Sequence, residues 1–183
     1  MNTPVVAAPQ TSSFATWFHR RRATITTVAI GTVTWPVAFG AAWRWWPTSV
    51  SPPGDRIAYV LQLAAAPSFV LLLMVTSCMR LFDTAAAENP LAGGESQRWR
   101  INQRVVSNTI EQLAIFAPLV IAIALRLPDS QLRLLPIAVT LWCAGRLMFW
   151  IGYHVAPHWR GPGFDWTFLT SCVVAGWLVS TFV

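Results

Sequence analysis

Arg104, Asn108 and Glu111 stand four and three residues apart. That spacing puts a cation, an amide and a carboxylate on one face of a helix. Further along, Arg146 and Tyr153 are seven residues apart with Phe149 between them, and Arg160 follows after another seven. Pro157 interrupts that last step, which predicts Arg160 on a loop or at the start of the next helix. These residues lie in or beside long apolar runs. A charge at bilayer depth costs at least about 2.5 kcal/mol, so it turns to the interior of a bundle and takes a partner. Glu111 is the acid best placed to pair with Arg146, within or between subunits. The plainer alternative is that these polar residues only hold helices together, at roughly 0.6 kcal/mol per contact. Two features argue for more. The arginines outnumber the acids within reach, and they gather towards one end, where a soluble anion could enter. Guanidinium groups so placed suit a ligand that carries carboxylates.

Other reactive residue types carry less. His154 and His158 are four apart, but Pro157 stands between them and no third ligand is near, so no metal site is expected. Cys78, Cys143 and Cys172 each lie inside an apolar run and form no CxxC, which makes them small packing residues. The net charge of +6 comes from arginine alone, since lysine is absent. Such a charge could mark a nucleic-acid binder. In a chain this apolar, excess arginine marks cytoplasmic loops instead, and no nucleic acid is expected.

Elements that position these groups are legible from composition. Apolar residues make up 55% of the chain and charged residues 11%, with mean hydropathy +0.49. So few charges cannot cover a soluble domain of 183 residues. Five apolar runs cover residues 23–43, 57–79, 105–125, 134–155 and 164–182. Each is about 20 residues long, the length that crosses roughly 30 Å of hydrocarbon as a helix. The expected fold is an all-α integral membrane protein with five transmembrane helices. Trp46-Pro47 and Pro52-Pro53-Gly54 end the first run, Leu127-Pro128-Asp129 separates the third from the fourth, and Pro157 with Gly161-Pro162-Gly163 separates the fourth from the fifth. Trp43, Trp45 and Trp46, and at another boundary Trp159 and Trp166, read as interfacial belts. Residues 1–22 read as a disordered basic segment, 23–46 as one transmembrane helix and 57–183 as a four-helix domain. Arg20–Arg22 could open a cleaved export signal, but the run that follows is long for one. Arg20, Arg21, Arg22, Arg80, Arg98, Arg100, Arg104 and Arg160 fall on one side, and Arg44, Arg56, Arg126 and Arg133 on the other. The positive-inside rule then predicts a multi-pass protein with its N-terminus cytoplasmic and its C-terminus outside.

The motif Arg104-Val-Val-Ser-Asn108-Thr-Ile-Glu111 resembles the R-x-x-x-N-x-x-E signature of the MAPEG family, the membrane-associated proteins in eicosanoid and glutathione metabolism. Gly145-Arg146-Leu-Met-Phe149-Trp-Ile-Gly-Tyr153 is similar to that family's A-R-x-x-x-x-x-x-Y helix. The resemblance covers residues 57–183 and implies a four-helix MAPEG-like bundle, with the first transmembrane helix an N-terminal addition to a bacterial-type member. It implies a homotrimer in the lipid bilayer, with glutathione as co-substrate between neighbouring subunits near the cytosolic face. Arg80, Arg104 and Arg146 would hold carboxylates, Glu111 the ammonium, and Asn108 and Tyr153 the peptide. Arg160 would favour the thiolate, the role credited to an arginine in leukotriene-forming members. The implied activity is that of a glutathione-dependent transferase or peroxidase, with the thiol attacking a small apolar electrophile. The family also contains a non-enzymatic lipid-binding scaffold, which is the alternative. Phe149 and Gln112 stand where leukotriene-forming members have tyrosines, so two phenolic hydrogen bonds are missing from the pattern.

Overall fold

A computed structural model of the chain describes residues 14–47, 55–77 and 93–183. Among them are five long helices: α1 (Phe14–Trp45), α2 (Arg56–Val75), α3 (Gln97–Ala124), α4 (Leu134–Val155) and α5 (Arg160–Ser180). Short 3-10 turns, Asp129–Gln131 and Pro157–Trp159, join α3 to α4 and α4 to α5. Successive helices run antiparallel. Arg56 at the start of α2 reaches the end of α3, Met74 near the end of α2 meets Asn102 near the start of α3, and Thr27 in the first half of α1 meets His158 just before α5. The starts of α1, α3 and α5 therefore share one end of the bundle with the ends of α2 and α4.

Four helices are long and apolar enough to cross a membrane: 21–45 of α1, α2, α3, and α4 with the turn before it. α5 matches them in length, but Asp165, Thr167, Thr170 and Ser171 dilute its apolar run, and all four are buried in the bundle. Its polarity is internal, which is why hydropathy singles it out less clearly than periodic burial does.

Helix boundaries depart from the apolar runs in instructive ways. α1 starts at Phe14, so the last part of the segment expected to be disordered up to residue 22 forms the helix's first turns. α3 starts at Gln97, eight residues before its apolar run, because the Ser96 side chain accepts a hydrogen bond from the Trp99 amide at 3.1 Å and caps it. That extension lifts Arg98 and Arg100 out of the expected loop and onto a helix, and sets Arg104 within the helix rather than at its edge. Gly161-Pro162-Gly163 does not separate two helices either, since it forms the first turn of α5. Proline is tolerated there because first-turn amides have no helical acceptor. A Cβ on Gly163 would lie 2.2 Å from the Phe149 amide nitrogen and 2.6 Å from the Gly145 carbonyl oxygen. The glycine thus lets α5 touch the backbone of α4, as small residues do between membrane helices.

α4 is the central element. Its buried residues run from Leu134 to Phe149, and its first half is enclosed by Val60 of α2, Phe116, Val120 and Ile123 of α3, and Val174 of α5. The Phe116 and Trp142 rings stack at 5.4 Å within this core. A smaller cluster, Val70, Met74, Val105, Val106 and Phe149, fills the other half of the bundle.

α1 docks on α5 through every fourth residue: Thr27, Gly31 and Trp35 are buried, and Phe39 and Trp43 are partly so. The Trp35 indole donates to Thr170 Oγ1 at 2.9 Å, and the Trp166 indole donates to Thr34 Oγ1 at 3.1 Å. Trp43 lies 5.3 Å from Trp177, ring to ring. Trp43 and Trp166, read from sequence as interfacial belts, are therefore packing residues between α1 and α5.

Candidate functional site

A cleft of about 810 Å³ opens at the end of the bundle where α3 and α5 begin and α4 ends. This is within the range of about 300–1,000 Å³ typical of ligand sites. One wall is the polar face of α3, carrying Arg100, Gln103, Arg104, Ser107, Asn108 and Glu111. These positions recur at the helical period because the other face, Asn102, Val105, Val106, Thr109 and Gln112, is buried against the bundle. Asn102 fixes the start of α3 by donating from Nδ2 to the Met74 carbonyl at 3.1 Å. The second wall combines Phe149 and Tyr153 of α4 with Arg160, Gly161 and Phe164 of α5. Thr24 and Val28 of α1 close a third side.

Arg160 begins α5, where Pro157–Trp159 turns the chain back after α4. Its guanidinium carbon sits 5.1 Å from the centre of the Tyr153 ring, and Nη1 donates to the Tyr153 hydroxyl at 3.3 Å. Tyr153 is itself braced edge-on by Phe149 at 5.9 Å. The phenylalanine at 149 thus supports the one phenol that reaches the cleft. Gln112 is buried and does not line the cleft.

Arg146 turns to the interior of the bundle, as a charge at that depth requires, and not onto the cleft, where the resemblance would have it hold a carboxylate. It is fully buried beneath the cleft and not on its surface. Nη1 donates to Asn108 Oδ1 at 2.9 Å and Nη2 donates to Thr167 Oγ1. The aromatic rings of Phe149 and Trp142 lie 4.7 and 5.9 Å from its guanidinium carbon. The expected pairing with Glu111 is not made within the chain, because Asn108, one turn nearer along α3, intercepts the guanidinium. A neutral amide and a hydroxyl take two of its five N–H donors, and Nε has no hydrogen-bond partner. Arg146 thus holds the acceptor end of Asn108, which itself lines the cleft. Thr167, the second anchor, was not singled out from the sequence. Its signal was one of several polar residues, with Asp165, Thr170 and Ser171, set into the apolar run of α5.

Of the residues predicted from sequence, Arg104, Asn108, Glu111, Tyr153 and Arg160 share this cleft. Arg146 lies below it, and Arg80 lies outside the described residues. Arg100, Arg104 and Glu111 make no ion pair among the described residues. The two histidines diverge: His158 lines the cleft, whereas His154 faces a separate recess with Gln97, Arg98 and Ile101. Cys143 is half-buried in the core, Cys172 is exposed, and Cys78 lies outside the described residues.

Long apolar helices around a buried polar floor, with an arginine-lined cleft at one end, define an integral, multi-pass membrane protein. The chain belongs to the MAPEG family, whose family model matches residues 57–180. It is also similar to Transmembrane protein 79 of Bos taurus, 26% identical over 116 residues, which is 63% of this chain and 29% of that protein. Transmembrane protein 79 of Mus musculus is 24% identical over 124 residues, 67% of this chain and 31% of its own length. The chain therefore spans under a third of these relatives. No solved structure matches it. α1 lies outside the residues that the family model matches.

Proposed function

We propose that the protein is a glutathione-dependent transferase of the membrane, which activates the thiol of glutathione for attack on an apolar electrophile. The observation that carries this reading is the gathering of Arg104, Asn108, Glu111, Tyr153 and Arg160 on one open cleft. Glutathione presents two carboxylates, an ammonium and a thiol, so it needs cationic, anionic and neutral polar partners together. Arg104 binds a carboxylate, Glu111 the ammonium, and Asn108 and Tyr153 the peptide groups. Arg146 orients Asn108 from below.

Arg160 is the group that favours the thiolate. A free thiol titrates near about 8.5, and an adjacent cation lowers that value. With an aryl halide, the thiolate sulfur forms the new carbon–sulfur bond and halide leaves with the bonding electrons. With a hydroperoxide, two glutathione molecules give a disulfide, an alcohol and water. The cleft lies at the arginine-rich end of the bundle, which the positive-inside rule assigns to the cytoplasm. A homotrimer would set a second chain beside the open side of the cleft.

The test is turnover of glutathione with a chromogenic aryl halide by the purified protein and by Arg160→Ala. The expected result is thiol-dependent turnover that drops at least about tenfold in the variant, the scale of one positioned electrostatic group. Equal rates would remove Arg160 from the mechanism. Retention of fatty-acid-like ligands without glutathione binding would instead identify a non-enzymatic lipid-binding protein.

A further inference from the structure

α1 has no counterpart in the residues that the family model matches, which begin at residue 57. It is nevertheless part of the cleft, through Thr24 and Val28. Its position is fixed by polar and close-packed contacts. Thr27 Oγ1 donates to the His158 carbonyl at 2.7 Å, immediately before the turn into Arg160. A Cβ on Gly31 would lie 2.7 Å from both Asp165 Oδ2 and the Pro162 Cα. Val28 rests on the backbone beside Arg160, since a Cβ on Gly161 would meet Val28 Cγ2 at 3.3 Å and Thr27 Oγ1 at 3.0 Å.

The cleft is chemically divided. The α3 wall is charged and amide-bearing, whereas the other side sets the carbon side chains of Val28 and Phe164 beside the polar groups of Thr24, His158 and Arg160. Val28 is 38% exposed and Phe164 36%, so part of each side chain is open beside the cleft. Arg160 stands at the seam between the two halves. A ligand that is polar along one edge and apolar beyond its sulfur would match both.

We infer that α1 is the wall of the apolar subsite: the hydrophobic group joined to the thiol sulfur packs against Val28 and Phe164. This rests on the thiol-peptide reading above and assigns the N-terminal helix a part in selecting the electrophile. Apolar groups gain from this contact, and small polar electrophiles gain nothing from it.

The experiment is calorimetric titration of the full chain in detergent with glutathione and with S-hexylglutathione. The wild type should bind the S-hexyl peptide at least about tenfold more tightly, since part of the alkyl chain leaves water. Val28→Ser, which adds no bulk, should cut that preference to about threefold or less, and Val28→Trp, which fills the space, should abolish it. Glutathione itself should bind both variants as it binds the wild type, which also reports that they fold. A full S-hexyl preference in both variants would overturn the assignment of α1. So would an equal loss of affinity for both peptides, which would make α1 a support for the polar half. If the wild type binds neither peptide, the thiol-peptide reading falls and this inference falls with it.

Discussion

The two ends of the bundle both carry arginines, and they use them in opposite ways. At the closed end, Arg56 donates to the Leu127 carbonyl at 2.6 Å and to the Asp129 carboxylate, tying the end of α3 to the start of α2. Arg133 lies over the Trp43 ring at 4.0 Å and Arg126 over Phe182 at 4.3 Å. Each of these three guanidinium groups is occupied by acceptors or rings of its own chain. At the cleft end, Arg100 and Arg104 project from α3 without an ion pair among the described residues, and Arg160 leans only on Tyr153. Arginine count does not make a site. What separates these groups is that the fold gives Arg56, Arg126 and Arg133 partners, whereas Arg100 and Arg104 make no ion pair among the described residues.

The largest break in this comparison is expected from Arg146, which belongs to the cleft end but takes partners from its own chain like Arg56, Arg126 and Arg133. Arg146→Leu leaves Asn108 and Thr167 without their donor, and should lower stability by about 3 kcal/mol. Thermal melting in detergent measures it, and a variant as stable as wild type would deny Arg146 its role as the cleft's floor. Gly163→Ala comes next, because its Cβ would press on the backbone of α4. Overpacking of that kind costs about 2 kcal/mol, read as a lower melting temperature. Arg104→Ala should behave differently, with a melting temperature close to wild type and glutathione affinity down about tenfold by calorimetry, one charge-assisted contact having gone. The smallest effect is expected at the closed end. Arg56→Ala removes a partly exposed ion pair worth about 1 kcal/mol or less and should leave glutathione affinity unchanged. If Arg56→Ala weakened the peptide as much as Arg104→Ala, the two ends would not differ in kind.

Much of the cleft was legible because helical spacing is a local property. Residues 104, 108 and 111 share a face of any α-helix, whatever surrounds it. The fate of Arg146 was not legible, because two acceptors compete for it and their ranking depends on how α3 and α4 are set along each other. The same holds for Gly161-Pro162-Gly163. Such a triplet can end a helix or let two helices touch, and only the presence of α4 against it selects the second. α1 concealed its packing face for a related reason. Apolar residues surround it on all sides, so the row Thr27, Gly31, Trp35, Phe39, Trp43 stands out only once α5 is seen to cover it.

By itself the sequence determined that this chain lives in a bilayer as helices and that α3 carries a charged face. Composition and periodicity act through solvation and backbone geometry, which need no tertiary partner. Tertiary structure alone decided which guanidinium is buried and which stay open to a ligand, and that an added N-terminal helix walls the same cleft. Those outcomes depend on distances between helices remote in sequence, and no local pattern encodes them.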